Sequence, residues 1–214
     1  IFFIAIVTFP LVKDQPLPEP RGVVELAIFL IMDVTIGLAI AYIARLIFAA
    51  VQVAGTVVDF QMGFGVVNVI DPQTETQVSV TAQFQNILAV LIFLATDAHH
   101  FIIQAIVDSF FILNPAEINF ASITPEYMLY LFSGTFTTAI KIASPIMAIL
   151  FFLSVGLGLV ARTVPQMNVF IVGFPLQIGV GLLMVGLSIS FFSILVQDQM
   201  YQLPVKFMGL LRGL

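Results

Sequence analysis

Three apolar stretches of this chain are each too long to be one straight crossing of a membrane. They run from about Val23 to Asp59, from about Val78 to Leu113 and from about Tyr127 to Arg162, and a fourth, shorter one runs from about Leu176 to Val196. A helix of about 36 residues is ~54 Å long, whereas the hydrocarbon core of a bilayer is ~30 Å thick. Each long stretch must therefore kink, fold into a hairpin, or run beyond the hydrocarbon into protein. Break points are visible: Asp97-Ala98-His99-His100 interrupts the second stretch, and Pro145 removes a backbone hydrogen bond inside the third. The strict alternation of an outer-membrane barrel is absent. The expected fold is all-α, a chain of kinked helical hairpins in a polytopic membrane protein or in a subunit buried inside a larger assembly. No charge-rich or low-complexity linker divides the stretches, so residues 1–214 read as one domain. The opening Ile1-Phe2-Phe3-Ile4 has no initiator Met and no basic region before it, and reads as the tail of a hydrophobic segment whose beginning is missing.

Composition narrows the chemistry. Hydrophobic residues make up 60% of the chain and charged ones 9%, against ~25% charged in an average soluble domain. Such a chain cannot cover itself with a polar surface. Its formal net charge of −5 offers no basic stripe for a phosphate backbone, which excludes nucleic-acid binding. Without cysteine there is no thiolate nucleophile, disulfide or Cys-ligated metal. His99 and His100 are the only histidines, and adjacent helical positions diverge by ~100°, a poor chelating arrangement by itself. There is no Ser-His-Asp pattern and no phosphate-cradling loop followed by Lys. Neither an enzyme nor a resident cofactor or metal is expected.

Charged residues inside or at the ends of the apolar runs are the next candidates: Asp33, Arg45, Asp59, Lys141 and Arg162. A charge at the bilayer centre costs ~2.5–3.5 kcal/mol on insertion scales, so such residues usually face partners or water. Lys141 and Arg45 lie well inside their stretches, which favours buried contacts with other subunits. Asp59 and Arg162 lie at stretch ends, which favours snorkelling to the interface.

Two connecting segments stand out. The first runs Gln61-Met62-Gly63-Phe64-Gly65-Val66-Val67-Asn68-Val69-Ile70-Asp71-Pro72 and on to Thr76. Its glycines break helix, yet Met62, Phe64, Val66, Val67 and Val69 are apolar, and irregular backbone is not tolerated against lipid. The segment therefore belongs inside protein or at a cavity, either as a hydrophobic gate or as an ordinary packed connector. The second runs from Ala161 to Leu176 and holds Pro165, Gln166, Asn168, Phe170, Gly173 and Pro175. Its prolines end one helix and start the next, and the amides of Gln166 and Asn168 suit free helix ends, so it reads as a turn between two hairpin arms.

These two segments carry a resemblance. Gly158-Leu159-Val160-Ala161-Arg162, then Pro165-Gln166-Met167-Asn168-Val169-Phe170, then Gly173-Phe174-Pro175-Leu176, resemble the signature of the FliR family, subunits of the flagellar type III secretion export gate. Gln61-Met62-Gly63-Phe64 with Asp71-Pro72 is similar to that family's segment in the same order. The resemblance covers essentially the whole chain. It implies a protein without enzymatic activity that assembles with FliP and FliQ into a cone-like gate in the flagellar basal body at the bacterial inner membrane. Its fold would be helical hairpins mimicking a fused FliP-FliQ unit, its neighbours FlhB, FlhA and membrane lipid, and its cargo unfolded flagellar proteins. By position, Met62–Val69 would be the plug loop of the closed pore. Rival readings are the related virulence-injectisome subunit, a small membrane transporter or channel, and a membrane-embedded enzyme. Against a transporter, no inverted repeat is evident, and an enzyme would lack a nucleophile–base or metal set.

Overall fold

The computed structural model describes residues 9–10, 22–64, 79–113, 125–166, 168–211 and 213. Among these, every regular element longer than two residues is a helix: α1 Val23–Met62, α2 Val80–Ala95, α3 Ala98–Ile112, α4 Pro125–Thr163, α5 Val169–Leu187, α6 Ile189–Tyr201 and α7 Leu203–Leu211. The all-α expectation holds. The first and third apolar stretches do not fold back on themselves; each is one helix, of 40 and 39 residues. At ~1.5 Å per residue both approach 60 Å, so they exceed the bilayer core without a hairpin. The second stretch does break, at the Asp97 expected from its sequence, and the fourth breaks at Ser188. By length and composition α1 and the Leu129–Thr163 part of α4 can cross a membrane, and each bent pair can count as one more span.

Pro145 shows how α4 stays continuous. Proline has no N–H, so the carbonyl four residues back loses its helical donor. That carbonyl belongs to Lys141, and the Ser144 hydroxyl donates to it at 2.9 Å. A side chain thus replaces the missing backbone bond, one of the ways membrane helices accommodate proline.

The chain's contacts gather into two compact units drawn from interleaved segments: one from residues 1–47, 93–133 and 197–214, the other from 48–92 and 134–196. In the first unit α3 packs on α7. Ala98, Ala105 and Ser109 form a small-residue stripe on α3, and the bulky side chains come from Leu203, Phe207, Leu210 and Leu211 of α7, all buried. Small positions opposite large ones let the helices approach closely. The Tyr127 hydroxyl donates to the Lys206 carbonyl at 2.7 Å, and Gly209 leaves room for it, since a Cβ there would stand 2.7 Å from that oxygen. Burial first, and the Tyr130 phenol second, push the Tyr127 pKa above its ordinary 10.0, which keeps this hydroxyl a donor.

The second unit is built on helix pairs that run back past one another. Gly55 of α1 meets Ala82 of α2 so closely that a Cβ would come within 2.6 Å of the Ala82 nitrogen. In α4 and α5, Gln177 donates to the Ser154 hydroxyl at 3.1 Å. Along α1 the buried residues Val51, Ala54, Val58 and Met62 recur every three or four positions, one face of a helix. Elsewhere the surface is strongly apolar: Leu30, Val34 and Leu38 on α1 and Phe151, Phe152, Val155 and Leu159 on α4 are exposed. An apolar surface this extensive belongs against lipid or other subunits.

Candidate functional site

In the second unit, side chains from α1, α2, α4 and α5 meet at the junction between α1 and α2. α1 ends because Gly63 takes φ 90°, a left-handed conformation that glycine adopts without steric cost. The Gly63 N–H donates to the Phe60 carbonyl at 3.2 Å and the Phe64 N–H to the Asp59 carbonyl at 3.1 Å. This pair of bonds is the Schellman arrangement that satisfies a helix's last carbonyls. Gly63 is also sterically required, because a Cβ there would lie 2.7 Å from Cδ1 of the Phe174 ring.

Asp59 closes the same junction from the other side. It is 5% exposed, and one carboxylate oxygen, Oδ2, accepts from the Ser79 hydroxyl at 2.5 Å and from the Thr81 N–H at 3.2 Å. Ser79 in turn caps α2 by accepting from the Ala82 N–H at 3.0 Å. A carboxylate and a hydroxyl together thus satisfy the first donors of α2, where the helix dipole also favours negative charge. The snorkelling expected of Asp59 is incorrect. Its position at the end of a stretch is the start of a helix junction, and the carboxylate turns inward to free N–H groups instead of outward to water.

Three further contacts hold the end of α1 in place. The Gln61 amide donates to the Met147 carbonyl of α4 at 3.2 Å. Met62, fully buried, lies so close to Gly181 of α5 that a Cβ there would overlap its thioether, and Leu150 of α4 borders the same point at 3.7 Å. Phe174 of α5 covers Gly63. Met62 and Gly63 are therefore packed at the root of the loop, and the Phe64 N–H is tied to the Asp59 carbonyl. Gly65, Val66, Val67, Asn68 and Val69 lie outside the described residues.

The remaining candidates are dispersed. Asp33 and Arg45 are exposed on α1, and Lys141 and Arg162 are exposed on α4. None of the four side chains has an ion-pair or hydrogen-bond partner among the described residues. The turn between α4 and α5 is shorter than its sequence suggests. Pro165 and Gln166 are exposed in it, and the Asn168 carbonyl accepts from the Ile171 N–H at 3.1 Å as α5 begins. Phe170, Gly173 and Pro175 already belong to α5, so Pro175 does not bracket the turn. Pro175 is the seventh residue of α5, past the first turn, so it costs the helix the bond to the Ile171 carbonyl without ending it.

Sequence reasoning missed Ser79, Phe174 and Gly181. Ser79 carried the one legible signal, a Ser immediately before an apolar run, the usual mark of a helix start. The other two act through neighbours far away in the chain.

Residues 1–203 match the family of bacterial export proteins, family 1. The chain is 37% identical over 201 residues to the flagellar biosynthetic protein FliR of Bacillus subtilis, covering 92% of this chain and 76% of that protein. It is 34% identical to the FliR of Pectobacterium carotovorum over 74% of this chain and 60% of that one. A more distant relative is the Yop proteins translocation protein T of Yersinia pestis, 25% identical over 81% of this chain and 67% of its own length. An all-helical chain with apolar helices long enough to cross a membrane, matched along nearly its whole length, belongs to the bacterial export proteins, family 1.

Proposed function

We propose that this chain is a core subunit of a flagellar protein export gate at the inner membrane in the basal body. In this reading it forms, with FliP and FliQ homologues and beside FlhB and FlhA, the pore through which unfolded flagellar proteins leave the cell, and it catalyses no reaction. The match to the export family over residues 1–203 carries the reading. The FliR relatives reach 37% identity and the Yersinia translocation protein 25%, which favours the flagellar over the virulence apparatus. The apolar faces of α1 and α4, and the unpartnered Arg45 and Lys141 on them, suit burial against neighbouring subunits.

Within that gate, residues 62–69 act as the plug loop. Both ends of the loop meet at Asp59, which ties Phe64 through its carbonyl and Ser79 through its carboxylate. A loop that moves aside for cargo needs such a fixed base, and an apolar constriction excludes ions by dewetting without a charged lock. At the root of that loop Met62 and Gly63 are packed against α5, and the Phe64 N–H is held by the Asp59 carbonyl.

The test is deletion of residues 65–69, which leaves the helix stop and the Asp59 contacts intact. Cells carrying the deletion should assemble the complex yet conduct small ions, read as bilayer conductance or as swelling in an osmolyte challenge. An assembled deletion complex that stays tight to ions would refute the plug assignment.

A further inference from the structure

The break between α2 and α3 holds both histidines of the chain, and it is an unusual way to begin a helix. Asp97 occupies the position before α3 where a carboxylate ordinarily accepts from a first-turn N–H, yet its side chain makes no capping bond. Its backbone lies at φ 53°, the left-handed region that few residues other than glycine adopt. Strain of this kind persists where the surroundings enforce it, often at functional sites. The carboxylate stands beside His100, with Oδ1 3.7 Å from Nδ1. The His99 ring lies 4.2 Å from the His100 ring, centroid to centroid, and 6.2 Å from that of Phe93 at the end of α2. The His99 Nδ1 is buried and has no hydrogen-bond partner among the described residues.

One ligand atom from each of Asp97, His99 and His100 can be chosen so that all lie within 4.8 Å of one another. Sequence spacing argues against such a set, because neighbouring helical side chains diverge. The structure overcomes this in two ways: the two rings tilt together, and Asp97 supplies a third ligand from outside the helix.

We propose that Asp97, His99 and His100 bind a transition-metal dication of the zinc class. Two imidazoles and a carboxylate suit Zn²⁺ and its neighbours, whereas Mg²⁺ and Ca²⁺ take oxygen ligands. With metal–ligand bonds of ~2.0–2.2 Å, ligand atoms of a tetrahedral site stand ~3.3 Å apart. The Asp97–His100 separation is 3.7 Å and the whole set lies within 4.8 Å, so side-chain rotations of about an ångström bring the three atoms to that spacing. Asp97 and His100 are exposed, so an ion reaches the site from solvent and keeps water in its remaining position. The bound ion joins the left-handed turn at Asp97 to the first turn of α3 and stiffens the break. Nothing in this inference depends on the export reading.

The test uses the full chain extracted from its membrane with a tag free of histidine, stripped with EDTA and titrated with Zn²⁺, and with Co²⁺ for its visible spectrum. About one ion should bind per chain, with nitrogen and oxygen ligation in the Co²⁺ spectrum. His99→Gln and His100→Ala should each weaken binding by more than the ~10–100-fold that loss of an outer-shell partner costs. Asp97→Gly is the decisive variant, since it removes a ligand while relaxing φ 53°. It should lose metal and keep, or gain, thermal stability in the stripped state. Absence of one-to-one Zn²⁺ binding, or binding unchanged in His100→Ala and Asp97→Gly, would overturn the site. The pair would then be an ordinary exposed contact between residues three apart in the chain.

Discussion

Replacing Asp59 by Ala removes the carboxylate that holds Ser79 and the start of α2, while the backbone carbonyl that holds Phe64 stays, and the cost can be worked from the contacts. The carboxylate accepts from the Ser79 hydroxyl and the Thr81 N–H, and it is 5% exposed. Loss of a capping side chain typically costs ~1 kcal/mol. The Thr81 N–H, at a residue 3% exposed, would in addition be left unpaired, a penalty of ~1–3 kcal/mol. The total is ~2–4 kcal/mol, which at ~2–4 °C per kcal/mol for a chain of this size lowers the unfolding midpoint by roughly 5–15 °C. The assay is thermal unfolding of the purified chain in detergent, paired with limited proteolysis between Phe64 and Ser79. Asp59→Ala should lower the midpoint and speed cleavage in that interval. Asp59→Asn keeps an oxygen acceptor in the same place and should lose less than half as much. If Ala shifts the midpoint by under about 1 °C, or if Asn is as damaging as Ala, the capping account of Asp59 is wrong.

Gly181→Val drives a side chain into Met62 and should destabilise by ~1–3 kcal/mol; adding Met62→Ala should recover part of the loss in the same unfolding assay, whereas additive losses would argue against the contact. Ser144→Ala leaves the Lys141 carbonyl without the hydroxyl that replaces its helical donor, at ~1 kcal/mol, and the loss should vanish in the Pro145→Ala background, where the backbone bond returns. Tyr127→Phe removes the bond to the Lys206 carbonyl and should cost ~0.5–1.5 kcal/mol in detergent unfolding. Lys141→Ala should reduce co-purification of partner subunits more than insertion of the chain itself, and unchanged co-purification would mean that Lys141 faces lipid headgroups or solvent.

Much of the architecture was legible because it follows from local rules. Apolar run lengths exposed the long helices, and the Asp97 break and the helix stop at Gly63 carry polar or glycine signals at the right places. The misreadings have a common cause. Pro145 and Pro175 looked like boundaries because proline opposes helix locally, yet Ser144 compensates the first and α5 runs on through the second. Asp59 looked like a residue reaching for water because its sequence neighbours say nothing of the unpaired N–H groups at the start of α2. For Met62 and Gly63 the sequence left a gate and a packed connector both open, and the residues that confine them, Leu150, Phe174 and Gly181, lie roughly 90 to 120 positions away in the chain.

What the sequence by itself determined is the solvent this chain can live in and the type of element it can form. With 60% hydrophobic residues in runs longer than a bilayer, only helices satisfy the backbone. Its order of motifs also carried the family. Tertiary structure alone decided which polar groups meet. Asp59 with Ser79 and Thr81, Gln61 with the Met147 carbonyl, and Asp97 with His100 are pairings that depend on where helices end and how closely small residues such as Gly55 and Gly181 let them approach. Hydrogen bonds and ligand sets require atoms within a few ångströms and a narrow range of angles. Hydrophobic burial is non-directional and survives averaging along a sequence. That is why the greasy helices could be read from the chain, and the clasp at Asp59 only from the fold.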